Sequence, residues 1–174
     1  MPKDHKDYEP VLNILNEVAA GLKRRQGNES GVWFQLLKYD AATTADGKGD
    51  TMDGKTYNLG TAPNYLEASA SSIFTYAYLK GIRLGLLDKT TYLPVAEKAY
   101  QGLLKTFISE TDGKTDIIQI CASAGLGPAK DLSRTGTINY YLCGKDVTIV
   151  ENEGKAIGTF IMASVEYEDY LRNK

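Results

Sequence analysis

The sequence holds only two cysteines, Cys121 and Cys143, in 174 residues. That excludes a disulfide framework, and the spacing is not that of a zinc site, so both read as small buried hydrophobes. One histidine, His5, lies at the very start. Ser-His-Asp or Cys-His hydrolysis therefore lacks a base, and no metal ligand set is expected. No run of about 18 apolar residues is present, and the opening residues Met1 to Asp7 lack the apolar core of a signal peptide. A membrane partner is not expected, and the compartment is not encoded. Charge of one sign is also missing: 20 Lys and Arg face 22 Asp and Glu, with no basic block. Phosphate-backbone binding needs clustered cations, so nucleic acid is excluded as a partner.

What is present is an ordinary globular composition, 43% apolar and 24% charged. A chain of this length can bury about 70% of its unfolded surface without staples. Tyrosine supplies 12 of the aromatic residues, against four Phe and one Trp. Tyrosine tolerates half-wet, hydrogen-bonding surroundings, which suits a polar cleft and equally suits helix packing.

Periodicity predicts four helices of two kinds. From Asp7, a candidate N-cap, Val11, Ile14, Leu15, Val18, Ala19 and Leu22 form one face of a 3.6-residue period. Tyr92, Leu93, Ala96, Ala99, Tyr100, Leu103, Leu104, Phe107 and Ile108 do the same. Both segments read as outer, amphipathic helices. Tyr65 to Leu87 and Ala156 to Val165 are apolar nearly all round and read as inner helices. The order is outer, inner, outer, inner, with long, short and long connections, so both long loops gather at one end beside the inner-helix N-termini. GVWFQLLKY and KTDIIQICA read as short strands within those loops. A shift of 86 residues superposes Glu67 on Glu153, Ala70 on Ala156, Phe74 on Phe160 and Ala77 on Ala163, a weak internal repeat.

Familiar motifs fail. Gly125 to Lys130 lacks the closing Gly-Lys-Ser/Thr of a phosphate loop, and Pro128 removes an amide donor. Asp46, Asp50 and Asp53 have the wrong spacing for a calcium loop and read as a solvated turn. The remaining candidates are polar and aromatic: Trp33, Gln35, Asn64, Tyr65, Glu67, Tyr140, Asn152 and Lys155, with Ser69, Tyr141, Glu151 and Glu153 beside them. An aromatic ring stacking on a pyranose, with amides and charges on its hydroxyls, makes a sugar cleft. The competing reading is that Trp33 is core and that Asn64 and Asn152 cap helices, with Glu67 in a capping box.

Five runs carry a family resemblance: Gly31-Val32-Trp33-Phe34-Gln35, Asn64 to Ser71, Tyr92 to Tyr100, Cys121 to Gly127, and Val150-Glu151-Asn152-Glu153. Together they resemble the C-terminal half of glycoside hydrolase family 105, the unsaturated rhamnogalacturonyl hydrolases related to family 88. The resemblance implies an all-α fold, part of an (α/α)6 toroid of alternating outer and inner helices with short β-strands in long loops. It makes residues 1–174 the C-terminal portion of one such domain, with helix-pair units at about 7–87 and 91–172. The implied substrate is a pectin-derived oligosaccharide ending in a 4,5-unsaturated uronic acid. An Asp protonates the enol ether carbon, water adds at C5, and the hemiketal collapses; no cofactor is implied.

The family's catalytic Asp and its uronate-binding His, Trp and Arg belong to an N-terminal half without counterpart in this sequence. The resemblance therefore assigns no catalytic residue to this chain and leads us to expect an inactive fragment. It should associate with a missing N-terminal half or with itself through open inner helices. The alternative is a non-catalytic α/α module that binds glycans or a protein partner.

Overall fold

A computed structural model describes residues 1–174. Four long helices dominate, as periodicity predicts: α1 (Tyr8–Arg25), α2 (Ala68–Arg83), α3 (Lys89–Phe107) and, near the chain end, a helix over Gly154–Arg172. Between α3 and the last lies a short α4 (Ile138–Cys143), so the last is α5.

Acidic side chains start three of them. Glu67 accepts from the amides of Ser69 and Ala70 at α2, Asp88 from Thr91 at α3, and Glu153 from Lys155 at α5. Each carboxylate satisfies an orphan donor and sits at the positive end of the helix dipole. Glu67 and Glu153, paired by the repeat, thus hold equivalent cap positions. Asn64 and Asn152 are not the caps. Asp7 occupies the cap position of α1 without a side-chain hydrogen bond.

Three antiparallel two-stranded ribbons fill the connections. β1 (Asp50–Met52) pairs with β2 (Lys55–Tyr57), and β3 (Ile108–Thr111) with β4 (Lys114–Ile117). Each turns at Asp-Gly, with Asp53 and Gly54, and Asp112 and Gly113, all at positive φ. That is the two-residue hairpin turn that matches strand twist, so the acidic run read as a solvated turn is a hairpin. β5 (Ile120–Cys121) pairs with β6 (Ile149–Val150). GVWFQLLKY is not a strand: pairing is confined to Trp33–Gln35 against Tyr65–Glu67, and Asn64 then folds the chain back at Leu36.

The helix α2 is central. Phe74 and Tyr78 face α1, whereas Arg83 reaches Glu166 of α5 through two bonds of 2.7 Å. Nine residues at 3.6 per turn put Phe74 and Arg83 about 180° apart, so α1 and α5 flank α2 on opposite sides. One core joins Ala19, Trp33, Tyr78, Val95 and Ala99; a second joins Ala68, Leu103, Phe107, Ile120, Phe160 and Ala163. Small residues bring backbones close where the loop meets α3: a Cβ on Gly102 would lie 2.2 Å from the Ser30 carbonyl oxygen. This fixes the segment that carries Trp33 and Gln35.

The helix α5 departs from its sequence reading. Ala156, Phe160 and Ala163 are buried, but Ile161 and Val165 are more than half exposed. The apolar character all round is there, and only part of the circumference is covered.

Candidate functional site

The N-termini of α2 and α5 are adjacent, joined through β5 and β6. Glu67 is the hub: its carboxylate accepts from Ala70 N at 2.6 Å, Ser69 Oγ at 2.8 Å, Cys121 N at 3.0 Å and Ser69 N at 3.2 Å. It is only 1% exposed. These four donors tie the start of α2 to β5 and leave no surface for a ligand.

Three other sequence candidates are also built into the scaffold. Trp33 is fully buried; its indole N–H donates to the Leu22 carbonyl at 2.8 Å and its ring stacks on Tyr78 with 6.2 Å between centroids. A ring without exposed faces cannot stack on a sugar, so Trp33 is core in this structure. Asn64 accepts from Leu36 N and donates to the carbonyls of Leu36 and Tyr39, closing the 36–39 turn. Tyr140 is buried, and its hydroxyl donates to the Gly125 carbonyl at 2.7 Å while accepting from Gly125 N, which pins the 122–127 loop. These four position the site and do not face it.

Gln35 and Tyr65 lie nearer the surface. Gln35 Nε2 donates to Cys121 Sγ at 3.3 Å. The Tyr65 hydroxyl is buried without a partner. Burial, then the neighbouring Cys121 and Glu67, push its pKa well above the usual phenol range, so it stays a neutral donor. Asn152 and Lys155 are held by other partners and do not line the groove that Gln35 lines. Asn152, at φ 55°, accepts from Ile117 N at 2.9 Å and donates to Asp116 at 2.7 Å. The Lys155 ammonium bonds the Ala122 carbonyl and lies 3.8 Å from Glu153.

What the scaffold opens is a groove of about 370 Å³ lined by Gln35, Leu36, Leu37, Lys38, Tyr39, Ala124 and Tyr141. Lys38 Nζ lies 5.7 Å from the Tyr39 ring centroid, and the Tyr141 ring is tilted on Tyr140 at 5.0 Å. Of the residues singled out in sequence, Gln35 and Tyr141 line it. Lys38 and Tyr39 went unselected, although a cation beside a tyrosine in a long loop was a legible signal. Two aromatic rings, an amide and an ammonium around an open apolar floor form a surface suited to a polar ring compound with negative charge. No cluster of His, Cys, Asp and Glu is disposed to hold a metal ion.

The chain belongs to glycosyl hydrolase family 88, whose model matches residues 56–171. It is 32% identical over 170 residues to Protein Atu3128 of Agrobacterium fabrum, spanning 95% of this chain and 63% of that protein. It is 26% identical over 152 residues to an unsaturated 3S-rhamnoglycuronyl hydrolase of Formosa agariphila, spanning 87% of this chain and 34% of that one. Among solved structures, a family 105 glycoside hydrolase of Clostridium acetobutylicum superposes with a TM-score of 0.74 at 38% identity, over 97% of this chain and 40% of that one. The chain thus spans less than two thirds of the length of each of these relatives.

Proposed function

We propose that this chain forms one wall of the substrate cleft of an unsaturated uronyl hydrolase acting on pectin-type oligosaccharides that end in a 4,5-unsaturated uronic acid. The observation that carries the reading is the groove from Gln35 to Tyr141, at the inner-helix N-termini of a family 88 chain. Tyr39 and Tyr141 offer apolar ring faces to the sugar carbons. The Gln35 amide serves ring hydroxyls, and the Lys38 ammonium matches the uronate.

The groove contains no carboxyl group. Hydration of the enol ether needs a general acid, so binding and proton delivery are divided, and the acid comes from outside this groove. By itself the chain binds without turnover. The lack of a groove carboxyl also supports the second reading, a non-catalytic glycan-binding module.

The test is a titration of the isotope-labelled chain with an unsaturated rhamnogalacturonan disaccharide. Shifts centred on Gln35, Lys38 and Tyr141 are expected, and Tyr141→Ala should weaken binding about tenfold, the loss of one good contact. Shifts elsewhere, or none, refute the groove. Loss of the enol ether absorbance with this chain alone would refute the division of roles. Binding by this chain, with the absorbance unchanged even in the presence of helical segments completing a family-type ring, would favour the second reading.

A further inference from the structure

The sequence contains five arginines, and three are paired with carboxylates: Arg83 with Glu166, Arg134 with Asp131 and Asp146, and Arg172 with Glu168. Arg24 and Arg25, in the last turn of α1, make no ion pair within the chain. Both line a second groove, of about 430 Å³, which shares Leu37, Lys38 and Tyr39 with the Gln35 groove. Lys38 is the third cation there, and Asp40 is the single carboxylate. Asp40 accepts from Ala42 N at 3.0 Å and pairs with none of the three.

A helix C-terminus favours cations, which accounts for some basic character in the last turn of α1. Lys23 in that turn is committed to α3, its ammonium 3.5 Å from the Thr91 carbonyl oxygen and 5.9 Å from the Tyr92 ring centroid. The dipole does not account for Lys38, which arrives from the loop; Arg25 Nη1 donates to the Lys38 carbonyl at 3.4 Å and ties that segment to the helix end. Gathering a third cation beside two costs repulsion, in a chain whose formal net charge is −2. An anion seated among them turns that cost into attraction.

The lining narrows the choice of anion. Guanidinium forks match a carboxylate through two parallel hydrogen bonds. Phe34, Leu37 and Tyr39 offer contact to ring carbons, and Asn28 and Thr43 offer neutral partners to hydroxyls. Asp40 can accept from a hydroxyl but repels a densely charged phosphate. A carboxylated sugar meets all of these conditions. We propose that the Arg24/Arg25 groove binds the carboxylate of a second uronate, carried by the same oligosaccharide whose unsaturated end lies in the Gln35 groove. This inference rests on the reading of the Gln35 groove as a sugar site. Lys38 then serves the terminal uronate and the two arginines serve the next, across a segment that lines both grooves.

The test compares two ligands of the isotope-labelled chain, the unsaturated rhamnogalacturonan disaccharide with one carboxylate and the tetrasaccharide with two. The tetrasaccharide is expected to bind about tenfold more tightly at low salt, with shifts at Arg24, Arg25 and Asn28 added to those at Gln35 and Tyr141. Arg24→Gln combined with Arg25→Gln should remove that gain and leave disaccharide affinity unchanged. Both positions are exposed, so the fold should survive, and helical circular dichroism checks it. Should the glutamine pair unfold the chain, Arg24→Lys with Arg25→Lys keeps the charge without the fork and should weaken tetrasaccharide binding about threefold. Lys105→Gln with Lys114→Gln, two exposed cations outside both grooves, removes the same charge and should change neither affinity. Equal affinity for the two ligands, a gain that survives the arginine replacements, or an equal loss in the Lys105/Lys114 variant overturns the inference, while disaccharide shifts at Gln35 keep the first groove intact. Absence of disaccharide shifts at Gln35, Lys38 and Tyr141 overturns the reading of the first groove, and the inference with it.

Discussion

Replacing Glu67 by alanine tests whether this buried carboxylate is scaffold or site. The change removes the N-cap of α2, worth about 1 kcal/mol. It also leaves Cys121 N without an acceptor in a buried strand, at about 1–3 kcal/mol. Relief from burying the charge offsets a part, and the side-chain cavity adds a part, so the expected loss is about 2–4 kcal/mol. In a domain of this size that lowers Tm by about 6–12 °C. Glu67→Gln keeps the volume but turns an amide NH2 towards the Ala70 or Cys121 amide, two donors face to face, and should lose about 1–3 kcal/mol. Urea unfolding followed by circular dichroism, at a concentration where the chain's association state is constant, gives both values. Stability within about 0.5 kcal/mol of wild type for the alanine variant, as for an ordinary surface substitution, would refute the reasoning. Glu67 would then be free to serve a ligand.

Three further outcomes follow from the same geometry. Trp33→Phe should lose about 1–3 kcal/mol, through the Leu22 bond and the space left beside Tyr78, and wild-type tryptophan fluorescence should be blue-shifted until unfolding; a water-like native emission would contradict burial. Glu166 is held below its ordinary pKa of 4.5, first by the hydrogen bonds from Arg83, with burial opposing. A depressed folded-state pKa stabilises above the unfolded value and is lost as pH falls through the folded one. The wild-type urea midpoint should therefore fall more between about pH 5 and pH 3 than that of Glu166→Gln, and parallel profiles would exclude the ion pair as the cause. Asp50 accepts from Asn58, Thr135, Thr137 and Asn139, binding the β1–β2 hairpin to the 133–139 segment. Asp50→Ala should raise hydrogen exchange in both segments while α2 and α5 stay protected; unchanged exchange would show that the hairpin is held by other contacts.

The helices were legible in the sequence because each repeats its apolar residues over several turns, and such patterns average out local exceptions. The loops were less so. Asp53-Gly54 and Asp112-Gly113 were available as hairpin signals, but the acidic run around the first reads as a solvated turn without a defined pairing on either side. The site suffered most, for a definite physical reason. Trp33, Asn64, Glu67 and Tyr140 were selected because a lone aromatic or polar residue at a helix entry is what a ligand needs. The same residues are what a buried loop needs, since each backbone group hidden there must find a partner. Asn64 serves the 36–39 backbone, Tyr140 serves Gly125, and Glu67 serves β5. Polarity in a sequence signals demand for hydrogen bonds without saying whether the demand is internal.

The repeat resolves part of that ambiguity. Glu67 and Glu153 hold the same cap, and in each unit an amide near the cap reaches back to the preceding segment: Glu67 N donates to the Trp33 carbonyl, and Asn152 N to that of Ile117. A feature present in both units is explained by the architecture they share, so neither cap calls for a ligand. The proposed groove belongs to what the units do not share. The first unit carries Leu36-Leu37-Lys38-Tyr39 after its Gln35, whereas the second follows Gln119 with β5. The groove sits where the two differ. On the proposed reading, that asymmetry assigns sugar contact to the loop from Gln35 to Tyr39, with Tyr141 lining the same groove, and leaves the helix entries as the frame.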